Sequence, residues 1–196
     1  MTSFESPFMT TQQDTSFARL TSLAVHDLRT PLATIFGFAR TMQRGVELEP
    51  PLSRYVEMII AASEQMTELL EEVGLAARIS ADRYEPVLVE VDTLELARAV
   101  LPEAGGNGTT ITTDPPTVGR ALTSFAECAR RHGGVDVVTL EVNGAELTLA
   151  PVTAAAAPVI LGEELRDLGA AVAVLAIRAL GGSVEVAGEQ LLVRMP

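Results

Sequence analysis

The chain has 196 residues, enough for one large domain or two small ones. Hydrophobic residues make up 47% of it, so it can bury a core and global disorder is excluded; aromatics are only 4% and tryptophan is absent, so that core is aliphatic. The net charge of −12 argues against nonspecific nucleic-acid binding, which draws on clustered Lys and Arg, and fits a protein that meets its partner through a chosen patch. Cys128 is the one cysteine, which excludes an intramolecular disulfide and a metal cage built from cysteines. The first residues have no basic stretch followed by a long apolar run, so no signal peptide is expected there. The longest apolar runs, 147–162 (broken by Pro151 and Pro158) and 168–177, fall short of the roughly 18–20 residues a membrane helix needs. The expectation is a soluble, cytoplasmic protein without a membrane span.

In chain order, residues 1–14 are polar and without period, and read as a flexible tail. A helix is predicted from Thr15 or Ser16 to Gly45 through Leu20, Leu23, Leu28, Ile35, Phe38 and Met42. Pro50 and Pro51 open a second helix, where Tyr55, Ile59, Ala62, Met66, Leu69 and Val73 recur at intervals of 4, 3, 4, 3 and 4. That seven-residue repeat predicts supercoiled helix packing. One hairpin of two helices leaves part of such a seam uncovered; two copies forming a four-helix bundle would cover it, so a homodimer is expected.

The pattern changes near residue 80. Strands are predicted at Tyr84–Val91 and Thr109–Thr113, a helix at Asp92–Leu101 and a turn at Gly105–Gly108. A helix is expected over Pro116–His132, ended by Gly133-Gly134. Asn143-Gly144 marks a hairpin between Val135–Val142 and Ala145–Val152. A helix over 163–180 and a last hairpin around Gly188-Glu189 complete an α+β sandwich over 84–196, behind a helical hairpin at 15–80.

The chemistry concentrates at His26-Asp-Leu-Arg-Thr-Pro-Leu32. On a helix, His26 and Thr30 share a face, and Asp27 is adjacent. A carboxylate beside an imidazole fixes its tautomer and makes the other nitrogen more basic, as nucleophilic attack on phosphorus requires. Thr30 could orient a water for the reverse, hydrolytic task. Pro31 has no N–H and crowds the carbonyl of Asp27, so a kink is predicted there. A lone His-Asp pair is more often a surface histidine beside a salt-bridging carboxylate. The contiguous stretch, on the first of two helices ahead of an α+β region, resembles the H-box of bacterial sensor histidine kinases.

That resemblance covers nearly the whole chain. It implies a dimerisation and phosphotransfer hairpin followed by a domain like the family's ATP-binding domain. It makes His26 the phosphoacceptor, Asp27 its acidic partner and Thr30 the position tied to phosphatase activity. The family's nucleotide signatures are degenerate here. The helix that should carry two asparagines has Ser124 and Cys128, and a thiol is a poor ligand for Mg²⁺. Glu127 and His132 fit the pattern without replacing that ligand. The expected Asp-x-Gly-x-Gly is replaced by Pro151-Val-Thr-Ala-Ala-Ala-Ala-Pro-Val. The second glycine motif keeps Gly169 but has Asp167, whose charge would repel a triphosphate.

The resemblance therefore implies a kinase-like histidine phosphotransferase. Its partner would be a response-regulator receiver domain, with an upstream kinase as a second candidate partner. No cofactor or metal is expected on this chain, and Mg²⁺ is expected on the regulator. A noncatalytic scaffold and a divergent active kinase are the alternatives. Cys128 is expected to be buried and inert, with a redox thiol as the alternative, and His132 to be a charge at a helix C-terminus.

Overall fold

The computed structural model describes residues 8–45 and 48–196, with side chains at Ala18 and from Leu20 onward. The chain divides into two units, one ending at Arg83 and the other beginning at Tyr84.

In the first unit, α1 (Phe8–Gly45) and α2 (Leu52–Ser80) form an antiparallel hairpin. The helix starts at Phe8, ahead of the predicted Thr15 or Ser16. The segment Phe8-Met-Thr-Thr-Gln-Gln-Asp contains no glycine or proline, and extending a helix needs far less than nucleating one. The tail expected at 1–14 is therefore helix from Phe8 on, while residues 1–7 lie outside the described residues. α1 is continuous through Pro31, which leaves the Asp27 carbonyl without its usual donor four residues on.

The hairpin is closed by heptads. From α1 come Ala18, Val25, Leu32 and Ala39, every seventh residue and all buried. From α2 come Val56, Ile60, Ser63, Gly74 and Ala77, which are also buried. The wall of Val25 lies 3.4 Å from where a side chain at Gly74 would begin, so this glycine marks close approach of the helices. Arg40 ties α1 to Glu64 at 2.7 Å and covers the ring of Phe36 at 5.1 Å.

The contact within the hairpin thus lies one residue on from the predicted α2 repeat. Tyr55, Ile59, Met66 and Leu69 are exposed, and the next position around the helix makes the contact. The true seam is harder to see because it contains Ser63, Thr67 and Gly74. Its hydroxyls bond back along the helix, Ser63 to the Ile59 carbonyl and Thr67 to the Ser63 carbonyl.

The second unit runs β1 (Val89–Asp92), α3 (Thr93–Val100), β2 (Gly105–Gly108), β3 (Thr110–Thr113), α4 (Pro115–Gly133), β4 (Thr139–Gly144) and β5 (Glu146–Ala150). It continues with α5 (Ala157–Ile160), α6 (Leu168–Ala179), β6 (Ser183–Ala187) and β7 (Gln190–Arg194). Five strands form a mixed sheet in the order β2-β4-β5-β7-β6, and β1 pairs with β3 in a separate ribbon. Only β2 lies parallel to its neighbour. Along β4, β5 and β7, Leu140, Val142, Leu147, Leu149, Leu191 and Val193 all turn inward. They meet Leu122, Phe125, Val174 and Ile177 from α4 and α6 in one core. The outward face carries polar pairs such as Arg194 with Glu146 at 2.6 Å and Glu185 at 2.7 Å. The expected α+β sandwich and both hairpins, at Asn143-Gly144 and Gly188-Glu189, are present.

Several boundaries differ from expectation, among them β4, which begins at Thr139 and not at Val135. Gly105–Gly108 is a strand, not a turn, because a Cβ at Gly106 would overlap the Val142 carbonyl and only glycine lets this edge lie so close to β4. The strand predicted from Tyr84 begins at Val89. Before it, the Tyr84 hydroxyl and the Val87 N–H bond to the Asp114 carboxylate rather than to a neighbouring strand. The helix predicted from residue 163 begins at Leu168, where Asp167 caps it.

Candidate functional site

His26 follows the seam residue Val25 and so leaves the hairpin contact for solvent; its side chain is 79% exposed. Its Nδ1 lies 3.1 Å from Oδ1 of Asp27. A carboxylate only accepts hydrogen bonds, so this contact requires the proton on Nδ1 and leaves the lone pair on Nε2. Thr30 lies one turn on, also exposed, and its hydroxyl makes no hydrogen bond among the described residues. His26, Asp27 and Thr30 are thus gathered on one open stretch of α1.

Beside His26 is a cavity of about 210 Å³ walled by Arg29, Arg78 and Arg83 and floored by Val25 and Gly74. None of these arginines forms an ion pair among the described residues. In a chain of net charge −12 this is a local basic surface, suited to a phosphoryl group. Arg29 lies within the sequence motif. Arg78 and Arg83 are brought in by the end of α2, and the sequence reading missed them because their place depends on the hairpin register.

Residues 18–82 match the family model of the His Kinase A (phospho-acceptor) domain. The matched stretch is a phospho-acceptor domain that takes in both helices of the hairpin and His26. No curated protein matches the chain significantly in sequence. Among solved structures it resembles full-length ShkA, crystallised with AMPPNP, at 23% identity and a TM-score of 0.69. That match covers 91% of this chain and 45% of ShkA, so the chain spans less than half of that protein. It also resembles the histidine kinase AdeS of Acinetobacter baumannii, at 17% identity and a TM-score of 0.54, over 87% of this chain and 96% of that one. At these identities the likeness is one of fold.

In the second unit, the residues expected at degenerate nucleotide positions are engaged in packing and in an ionic cluster. Cys128 is fully buried in the core. Burial, and then the nearby Asp167 carboxylate, push its thiol up to about 12, so it is protonated at neutral pH. Ser124 is half-buried on the same helix. Asp167 is buried, caps α6 by accepting the Ala170 N–H at 3.1 Å, and holds Arg131 at 2.8 Å and His132 Nε2 at 3.3 Å. Gly169 falls in the first turn of α6. The sequence reading took these residues one at a time. Two signals could have joined them: Cys128 and His132 are four apart on one helix, and Asp167 precedes an apolar run as a cap does.

The described residues contain no helix long and apolar enough to cross a membrane.

Proposed function

We propose that the chain is a histidine phosphotransfer protein that exchanges a phosphoryl group with a response-regulator aspartate and does not use ATP itself. The observation that carries this reading is the setting of His26: Nδ1 is engaged by Asp27, and the residue borders the cavity lined by Arg29, Arg78 and Arg83. In the forward step Nε2 attacks the phosphorus of the regulator's aspartyl phosphate. The N–P bond forms, the acyl P–O bond breaks, and the regulator recovers its carboxylate. Asp27 stabilises the imidazolium character that develops on the ring. The arginines bind the phosphoryl oxygens, and Thr30 orients a water when the phosphoryl group is lost to hydrolysis. Mg²⁺ in this scheme belongs to the regulator.

The residues of the second unit do not fit a magnesium nucleotide. Mg²⁺ takes oxygen ligands, and the position expected to supply one holds a buried, protonated thiol. The carboxylate of Asp167 would face the phosphates, and its partners Arg131 and His132 are already engaged with it. The AMPPNP seen with ShkA is a property of that protein. The exposed stripe of Tyr55, Ile59, Met66 and Leu69, with Leu28, Ile35 and Met42 on α1, supports a homodimer built through a four-helix bundle.

The test is transfer from a phosphorylated receiver domain to the chain and to its His26→Ala variant. Label on the wild type alone supports the proposal. Label that survives His26→Ala rejects it. Equal control of a regulator by both proteins would favour scaffolding, and micromolar binding of Mg-ATP would favour an active kinase.

A further inference from the structure

Near the end of α4, Cys128 and His132 are four residues apart and project from the same side of the helix. Asp167, at the start of α6, meets them from the other element. One ligand-type atom from each of these three residues lies within 4.8 Å of the other two. We propose that Cys128, His132 and Asp167 form a binding site for a zinc-class divalent cation. The inference is independent of the role of His26.

Geometry and chemistry select this class of ion. Zinc bonds of about 2.0–2.3 Å to N, O and S set tetrahedral ligand edges of roughly 3.4–3.7 Å. His132 Nε2 and Asp167 Oδ2 are already 3.3 Å apart. The other separations are at most 4.8 Å and would have to shorten by about 1 Å on binding. A thiolate with an imidazole and one carboxylate suits Zn²⁺ or Co²⁺, whereas Mg²⁺ and Ca²⁺ prefer oxygen alone. Three protein ligands leave the fourth position to water.

The surroundings support the set. Asp167 is oriented by the Ala170 N–H on Oδ1, which leaves Oδ2 aimed at His132. Arg131 competes for the same Oδ2 at 2.8 Å, but its side chain is 61% exposed and already lies 3.9 Å from Glu127 on the solvent side. It can pass to Glu127 when a cation arrives. Beside Gly133, the next residue after His132, the buried hydroxyl of Thr153 has no hydrogen-bond partner, so a polar atom is available at this end of α4. On binding, the S–H proton of Cys128 leaves to solvent and a metal–sulfur bond replaces it.

Cobalt(II) titrated into the chelator-stripped full-length chain tests the proposal. The expected result is one equivalent bound with a near-ultraviolet thiolate-to-cobalt charge-transfer band and tetrahedral d–d bands, both removed by Zn²⁺. Cys128→Ala should abolish the charge-transfer band. His132→Ala should weaken binding by roughly tenfold or more, the scale on which altered ligand environments act. Arg131→Ala should tighten binding, because it removes the competing cation without touching a ligand. Circular dichroism establishes that each variant is folded. No charge-transfer band in the wild type, a band that persists in Cys128→Ala, or affinity unchanged by His132→Ala and Arg131→Ala in folded protein would overturn the proposal.

Discussion

His26 is set by its neighbours on either side. Val25 faces the hairpin seam, so the next residue turns outward, and Asp27 then fixes the ring proton on Nδ1. Asp27→Asn keeps a polar partner but removes the charge, and should slow phosphotransfer by roughly tenfold or more, since general acid–base and electrostatic partners act on that scale. Rapid-quench measurement of the transfer rate checks this. Thr30→Ala should leave transfer to His26 intact and lengthen the lifetime of the phosphorylated protein. Cys128 behaves oppositely to a reactive thiol. Its folded value near 12 lies above that of an unfolded cysteine, so the buried neutral form is stable up to the unfolded value, about 8.5, and stability falls as pH rises from there toward 12. At pH 8 in metal-free native protein, alkylation of Cys128 should be slow, and urea should accelerate it. Fast native alkylation would contradict this burial. The motif at residues 26–32 was readable because it is contiguous. The basic wall was not, because Arg78 and Arg83 reach it from about fifty residues along the chain.

At the scale of elements, α2 carries adjacent stripes with different tasks. Ile60 is buried against α1, and Ile59, one residue earlier, is 40% exposed. Ile60→Ala should destabilise the hairpin by about 2–5 kcal/mol, as large-to-small core changes do, seen as a lower thermal midpoint. Ile59→Asp should leave the hairpin helical. The sequence revealed the more apolar stripe, read as the seam of a four-helix bundle, and not the stripe that packs within the chain. The actual seam hides behind Ser63, Thr67 and Gly74, whose value lies in close approach rather than hydrophobicity. The same limit applies to β2, where glycines read as a turn but serve as a thin strand edge. By contrast, the hairpin at Asn143-Gly144 and the alternation along β4 and β5 were legible, because turn chemistry and a buried face dictate them locally. Asp167→Ala removes the cap of α6 and the anchor of Arg131 and His132. It should cost about 1–2 kcal/mol from the cap alone, measurable by urea denaturation.

For the molecule as a whole, the proposed homodimer would be built through the exposed stripes of α1 and α2. Ile59→Asp or Leu69→Asp would place an unpaired charge in that interface and should yield monomers by analytical ultracentrifugation; an unchanged dimer would remove this part of the account. The fold and the phospho-acceptor domain were legible because helical hairpin, sandwich and motif follow one another in the chain. The cluster of Cys128, His132 and Asp167 was not legible, since it forms by tertiary contact. The central claim is that His26 receives phosphate from a regulator and not from ATP. The most direct measurement is acid-labile labelling of the full chain by two donors in parallel, a ³²P-labelled receiver domain and Mg-[γ-³²P]ATP. The account predicts label from the receiver domain, lost in His26→Ala, and none from Mg-ATP. Label on His26 from Mg-ATP alone would contradict it.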